Sequence, residues 1–253
     1  MTGAAPDTNP AVKLDHVSKS FGDQKVLDDI TFEITKAKAF VLLGRSGTGK
    51  SVTLKHIIGL VQPDKGQVMV DGRDITKLDR RALSDVRKHM GFLFQNAALF
   101  DSMTVVDNVA FPLRRHTDLP EREIRERAKQ KLADVGLEHE YDKMPADLSG
   151  GMKKRAALAR AMALEPSLLL VDEPSAGLDP ITADEIDDLL VDRKRHGGVT
   201  LIVVTHNIPS ARAIGDELAM LHEGRIIQQG TADDLDRSDD PLVQAFMRSE
   251  GGG

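Results

Sequence analysis

An α/β fold with a parallel-sheet core is what this sequence predicts, and three features carry the prediction. Continuous apolar runs of strand length ("AFVLL", "SLLLV", "VTLIVVT") alternate with helical stretches, which calls for a parallel sheet buried on both faces. The early segments instead alternate apolar and polar residues, the pattern of half-buried antiparallel strands. Residues 96–163 carry helical patterns, so they read as an α-helical insert within the core.

Taken in order, "VKLDHV" and "DDITFEI" (Ile30, Phe32, Ile34) form the antiparallel strands, and "AFVLL", Ala39 to Leu43, is the first buried one. A helix begins near Gly49 and ends by Pro63. "GQVMVDGRDI" supplies a strand and a turn at Asp71–Gly72. A short charged helix covers Arg80 to Lys88, and "MGFLF" is the next strand. Within the insert, "PEREIRERAKQKLADVG" has Pro120 at its start, acidic residues early and Gly136 as its stop. Ile124, Ala128, Leu132 and Val135 give that helix one apolar stripe. "SLLLV", a helix from Pro180, "VTLIVVT", a helix after Pro209 and the hairpin "ELAMLHEGRIIQQG" complete the chain. The expected division is a flexible tail over 1–10, a core with its antiparallel β subdomain over 11–95 and 164–236, and the helical subdomain over 96–163. A C-terminal helix and a disordered tip follow over 237–253.

Composition narrows the class. With 253 residues, 40% hydrophobic and 29% charged, the chain reads as soluble and globular with a sizeable core. A net charge of -6 gives no basic footprint, so nucleic acid is not an expected partner. The absence of cysteine removes disulfides, thiolate metal sites and cysteine nucleophiles. The 8 histidines lack ligand spacing, so no structural metal is expected. No apolar run approaches the ~20 residues of a spanning helix, and "MTGAAPDTNP" has neither the basic start nor the apolar run of a signal peptide. A cytoplasmic location is expected, with any membrane association made through a partner.

The chemistry begins at "GRSGTGKS", Gly44 to Ser51, which matches G-x-x-x-x-G-K-S between a buried strand and a helix, the context of a P-loop. Gly44, Arg45, Ser46, Gly47, Thr48 and Gly49 leave successive backbone N–H groups free to wrap phosphate oxygens at a helix N-terminus, with Val52 in the first turn. Lys50 would reach the β- and γ-phosphates, and the Ser51 hydroxyl would ligate Mg²⁺. "LLLVDE", Leu168 to Glu173, is a strand ending in two acids, where open parallel sheets place their ligands. Asp172 suits Mg²⁺ coordination through water, and Glu173 suits polarising the water that attacks the γ-phosphate. These residues specify a nucleotide-hydrolysing P-loop enzyme with a RecA-like core. They leave its kind open.

"LSGGMKKRAALARA", Leu148 to Ala161, narrows the kind. With the P-loop, "LFQ" (Leu93–Gln95), "DEPSAGLD" (Asp172–Asp179) and "TH" (Thr205–His206), it resembles the ATPase subunits of ABC transporters over about Val12 to Gly230. Ser149 can cap a helix whose first turn holds Gly150 and Gly151, making a second anion-binding helix N-terminus. The resemblance implies the ABC ATPase fold, ATP and Mg²⁺ as ligands, and a homodimer in which the P-loop of one chain and the signature of the other sandwich each ATP. It also implies a Mg²⁺- and water-contacting role for Gln95, a γ-phosphate contact for His206, an interface role for Asp179 and adenine stacking by Phe21. For Phe21 and His206, an ordinary core position is the competing reading. Met152 departs from the family's usual Gln, after the phosphate-facing donors.

"LSGGMKKRAALARAMALEP", "LFQNAALFDSMTVVDNVAFPLR" and "DEPSAGLDPIT" look most like the ATPase of Mla-type (MCE-linked) phospholipid transporters. That resemblance implies phospholipid cargo, an integral-membrane permease dimer, a periplasmic MCE lipid-binding protein and, in some systems, a small STAS-domain subunit. It places the chain on the cytoplasmic side of a bacterial inner membrane. An ABC transporter for another cargo, and a soluble ABC ATPase outside transport, remain the alternatives. "NAALFDSMTVVDN" is unusually apolar for a loop: Phe100 and Met103 suit partner contact, whereas Val105 and Val106 suit internal packing.

Overall fold

The computed structural model describes residues 10–249; residues 1–9 and 250–253, where most of the expected tail and the tip fall, lie outside the described residues. The chain runs β1 (Val12–Phe21), β2 (Gln24–Ile34), β3 (Ala39–Leu43), α1 (Lys50–Ile57), β4 (Lys65–Val70), β5 (Arg73–Asp74), α2 (Arg80–Arg87) and β6 (Met90–Leu93). Three helices follow: α3 (Val105–His116), α4 (Glu121–Ala133) and α5 (Gly150–Ala161). Then come β7 (Leu168–Asp172), α6 (Pro180–Gly197), β8 (Thr200–Thr205), α7 (Ile208–Ile214), β9 (Glu217–His222), β10 (Arg225–Gly230), α8 (Ala232–Asp236) and α9 (Pro241–Arg248).

Two sheets result. β2, β1, β4 and β5 pair antiparallel in that order, as their alternating side chains require. The second sheet has the order β10-β9-β3-β8-β7-β6, parallel except for the terminal hairpin β9–β10. Every residue of β3, β7 and β8 is buried, which is why these strands read as unbroken apolar runs. Alternation along them feeds two cores. Phe40, Leu42, Leu170 and Val204 face the antiparallel sheet, where the Phe40 ring stacks on Phe32 with centroids 4.9 Å apart. Val41, Leu43, Val171 and Val203 face the other way, toward a cluster that includes residues of α3, α4, α5, α6 and α7.

Two sequence expectations need correction. The segment 96–108 is loop only as far as Thr104, which caps α3 by accepting from the Asp107 N–H at 3.3 Å. Its Val105 and Val106 are fully buried helix residues, as the packing reading has it. The helix expected after Pro209 starts earlier, because Asn207 caps it by accepting from the Ser210 N–H at 2.9 Å and Pro209 sits inside its first turn.

α6 carries an anomaly on its buried face. Asp187 is 4% exposed beside Ala183, Ile186 and Leu190, and one of its carboxyl oxygens, Oδ1, has no hydrogen-bond partner among the described residues. Burial, reinforced by Asp184 and Asp188, pushes its carboxyl up from 3.8 to about 6, against a hydrogen bond from Ser210. An acid whose folded-state pKa is raised contributes stability that is complete below the unfolded value and lost as pH rises through the folded one. Asp187→Asn should therefore unfold at higher urea than wild type at pH 8, by up to ~3 kcal/mol, and the advantage should vanish near pH 4. Equal stability of the two proteins at pH 8 would show that the buried carboxylate carries no such penalty.

Candidate functional site

The sheet order brings the site together. β3, β8 and β7 are neighbours in register, with Leu42 opposite Val204 and Val204 opposite Asp172. Their carboxyl ends lead directly into the phosphate loop, into His206, and into Glu173, which follows Asp172; Gln95 lies exposed in the turn after β6. This edge of a parallel sheet is where such folds bind ligands.

The phosphate loop is built by glycine where no other residue fits. Gly49 has φ +107°, and a Cβ there would lie 2.8 Å from a Leu27 methyl and 2.9 Å from the Val26 carbonyl oxygen. Arg45, Ser46 and Gly47 are exposed, while Gly44 and Lys50 are buried. Lys50 Nζ donates to the carbonyls of Gly44 (2.8 Å) and Arg45 (3.1 Å) and pairs with Glu173 Oε1 at 3.2 Å. Thr48 caps the loop by donating its hydroxyl to the Arg45 carbonyl at 2.9 Å, and Val52 is half-buried in the first turn of α1.

The acids at the end of β7 face this loop. Ser51 Oγ donates to Asp172 Oδ1 at 2.8 Å. Burial raises the Asp172 carboxyl above its ordinary value and the Glu173 charge adds to that, while the Ser51 hydrogen bond opposes both. A divalent cation would relieve this burden directly. Two hard oxygens held together suit Mg²⁺, which keeps water and phosphate in most of its coordination positions. Among the described residues no three His, Cys, Asp or Glu side chains cluster as a metal cage, so an ion here would need oxygens from the nucleotide.

Glu173 is strained and heavily held. Its φ of +46° is left-handed, which costs on the order of 1 kcal/mol or more for a residue with a side chain. Its N–H donates to the Val204 carbonyl at 2.9 Å, and its Oε2 accepts from the His206 backbone N–H at 3.3 Å and lies 3.0 Å from His206 Nδ1. His206 is exposed on its outer side, so it is not a core histidine. Phe21, at the end of β1, is 49% exposed, with Lys19 Nζ 5.4 Å from its ring centroid; the core reading of this residue is removed as well.

A second group forms where α5 meets the start of α6. Ser149 caps α5, accepting from the Met152 N–H at 3.3 Å. Asp179 caps α6, accepting from the Thr182 N–H at 3.0 Å and from its hydroxyl at 2.7 Å. A side chain at Gly151 would collide with the Thr182 methyl, and one at Gly150 would come 3.5 Å from Leu178. Glycine thus lets the exposed end of α5 lie against the Asp179 cap.

Two residues that sequence reasoning passed over join these parts. Lys154, 5% exposed, donates to the Glu173 carbonyl at 3.0 Å. Its signal was visible: three residues after Gly151 and three before Ala157, it sits on the buried stripe of α5. Arg160, two turns further, donates to the carbonyls of Ala97 (2.9 Å) and Ala98 (2.7 Å). Both alanines have positive φ, 58° and 51°, so the guanidinium braces a strained turn directly after Gln95. Beside it opens a groove of about 330 Å³ lined by Phe92, Phe94, Phe100, Phe111 and Arg160; Met103 does not line it.

Comparison with known proteins shows the family. The model of the ABC transporter family matches residues 27–176, more than half of the chain. Over 237 residues the chain is 43% identical to the "probable ribonucleotide transport ATP-binding protein mkl" of Mycobacterium tuberculosis, covering 94% of this chain and 66% of that one. It is 42% identical over 232 residues to the "intermembrane phospholipid transport system ATP-binding protein MlaF" of Haemophilus influenzae, covering 92% of this chain and 88% of that one. Among solved structures, a dimeric ATP-binding cassette in a post-hydrolysis state with ADP and phosphate aligns with a TM-score of 0.81 and 33% identity, over 87% of this chain and 98% of that one. The chain spans about two-thirds of the mycobacterial relatives' length (66%) and most of MlaF's (88%). Matched by the family model over the phosphate loop and the paired acids, and by relatives across nearly its whole length, the chain belongs to the ABC transporter family.

Proposed function

We propose that this chain hydrolyses ATP to power phospholipid transport through a membrane permease. The observation that carries the ATPase reading is the convergence of Lys50, the Ser51–Asp172 pair, Glu173 and His206 at the ends of three adjacent strands. In this reading the segments 11–95 and 164–236 form the nucleotide-binding core, and 96–163 is the helical signature module.

The loop Gly44–Gly49 with Lys50, Ser51 and Val52 would bind the triphosphate, and Phe21 offers an exposed face for adenine. A γ-phosphate competes with Glu173 for the Lys50 ammonium. Engaging it frees Oε1 to accept a proton from the attacking water as the phosphorus–oxygen bond to ADP breaks. His206, on the other oxygen, keeps the carboxylate aimed while its outer face meets the phosphate. Bound Mg²⁺, which Ser51 and Asp172 would hold and Gln95 would contact, would neutralise charge on the phosphate oxygens.

Ser149, Gly150 and Gly151 would complete the site of a second copy, with Asp179 at the contact. The dimeric cassette structure supports a homodimer. The groove near Gln95, with Phe100 on its rim, is the surface offered to the permease, through which an MCE protein would connect; in some assemblies a STAS-domain subunit would bind the ATPase itself. No helix among the described residues is long and apolar enough to cross a membrane, so attachment to the cytoplasmic face would run through that contact. Phospholipid is favoured as cargo by the MlaF relative; the ribonucleotide wording of the mkl relative supports a second reading with different cargo.

Three results follow from this reading. Glu173→Gln should retain ATP binding and lose at least ~10²-fold in turnover, the scale of a lost general base; near-normal hydrolysis would remove Glu173 from that role. Dimers mixing a Lys50→Ala chain with a Ser149→Arg chain place both defects in one site and none in the other. They should regain roughly half the wild-type activity where each homodimer is dead, since a catalytic unit lost in part is lost nearly whole. Affinity purification from native membranes should recover a permease with phospholipid; recovery of a permease without lipid but with a ribonucleotide-binding partner would favour the second cargo.

A further inference from the structure

Lys154 is a buried cation that packing does not require. Its neighbours on the inner face of α5 are Gly151, Ala157 and Leu158, all buried, and an apolar side chain would complete that stripe. Burial alone pulls its ammonium below the ordinary lysine value, while the Asp172 and Glu173 carboxylates pull the other way, so it lies within the field of both acids. Burying an ammonium is costly unless it is paired, and the partner here is a backbone carbonyl at the site itself.

That carbonyl belongs to the residue whose backbone most needs restraint. Glu173 holds φ +46°, and its carbonyl takes a bond from the Ala176 N–H at 3.3 Å as well as the one from Lys154 at 3.0 Å. Fixing the carbonyl fixes the rotation of the peptide and, through it, the direction in which the carboxylate leaves the backbone. The margin is small, because Oε1 must meet Lys50 at 3.2 Å and Oε2 must meet His206 at 3.0 Å. Lys154 also lies within a turn and a half of Ser149, the exposed cap of the same helix.

We infer that Lys154 is a positioning residue for hydrolysis, tying the helix that opens at Ser149 to the backbone of Glu173 and so aiming its carboxylate. The inference rests on the ATPase reading above. In a shared-site dimer, the Ser149 end of a chain serves one nucleotide and its Glu173 serves the other. Lys154 is then the direct bond between the two sites within one chain.

The test uses the full-length protein, with steady-state hydrolysis, equilibrium binding of a fluorescent ATP analogue, and thermal unfolding to verify folding. Lys154→Met keeps the apolar stem and removes the donor; Lys154→Gln keeps a donor one bond too short; Lys154→Arg keeps charge and reach. Both Met and Gln variants should lose at least ~10-fold in kcat, the scale of a misaimed catalytic group, with KM and analogue affinity within about threefold of wild type. Lys154→Arg should recover kcat to within about threefold of wild type. A folded Met or Gln variant with near-wild-type kcat, a loss confined to KM, or an Arg variant as slow as Met overturns the inference. Glu173→Gln separates the two levels. If it is slow while the Lys154 variants are normal, only this inference fails; if it is fully active, the ATPase assignment of Glu173 fails first.

Discussion

The buried pairing of Glu173 with Lys50, with the exposed His206 on its other oxygen, requires three parallel strands to end side by side, and most of the architecture serves that requirement. A carboxylate and an ammonium, each nearly enclosed, lose several kcal/mol of hydration apiece, and their attraction offsets this only when the geometry is good. The geometry comes from the ladder. With Leu42, Val204 and Asp172 in one row, the loop after β3, the turn after β7 and the histidine after β8 emerge at the same height. Two hydrophobic clusters cover that row, one on either face.

The helical insert depends on the same row and acts back on it. Asn108, fully buried, binds the carbonyls of Phe100, Met103 and Thr104 and accepts from the Phe100 N–H, so the loop before α3 is organised from inside the insert. Arg160 then fixes the turn after Gln95 to α5, and Lys154 fixes the turn after Asp172 to the same helix. One rigid element therefore touches the segments that follow β6 and β7. Anything that tilts α5, whether a nucleotide at Ser149 or a partner in the aromatic groove, would move both turns together.

Much of this was legible in the chain, and the reasons are local. The buried strands read as apolar runs because both of their faces are covered, and the antiparallel strands read by alternation because only one face is. The phosphate loop, the acids after β7, the Ser149 cap and the Asp179 cap all lie within short segments whose spacing states their geometry. The insert was harder. α3 starts inside the apolar segment that reads as a loop, and Val105 and Val106, which suit internal packing, are its first two residues. Those two residues are fully buried against the core, and burial is not a local property.

What the sequence determined by itself is the set of parts: which segments are strands, which glycines free a backbone, which residues cap helices, and where the G-x-x-x-x-G-K-S pattern lies. Each follows from interactions between residues a few positions apart. The tertiary structure decided how those parts meet. Lys154 lies 19 positions from the carbonyl it holds, Arg160 more than 60 from the two it braces, and Lys50 is linked to Glu173 across about half of the chain. Even the raised pKa of Asp187 arises because α6 is pressed against the core, a burial that outweighs the opposing hydrogen bond from Ser210. Such pairings depend on strand order and helix placement, which are set by burying both faces of one sheet at once, and no window of sequence contains that condition.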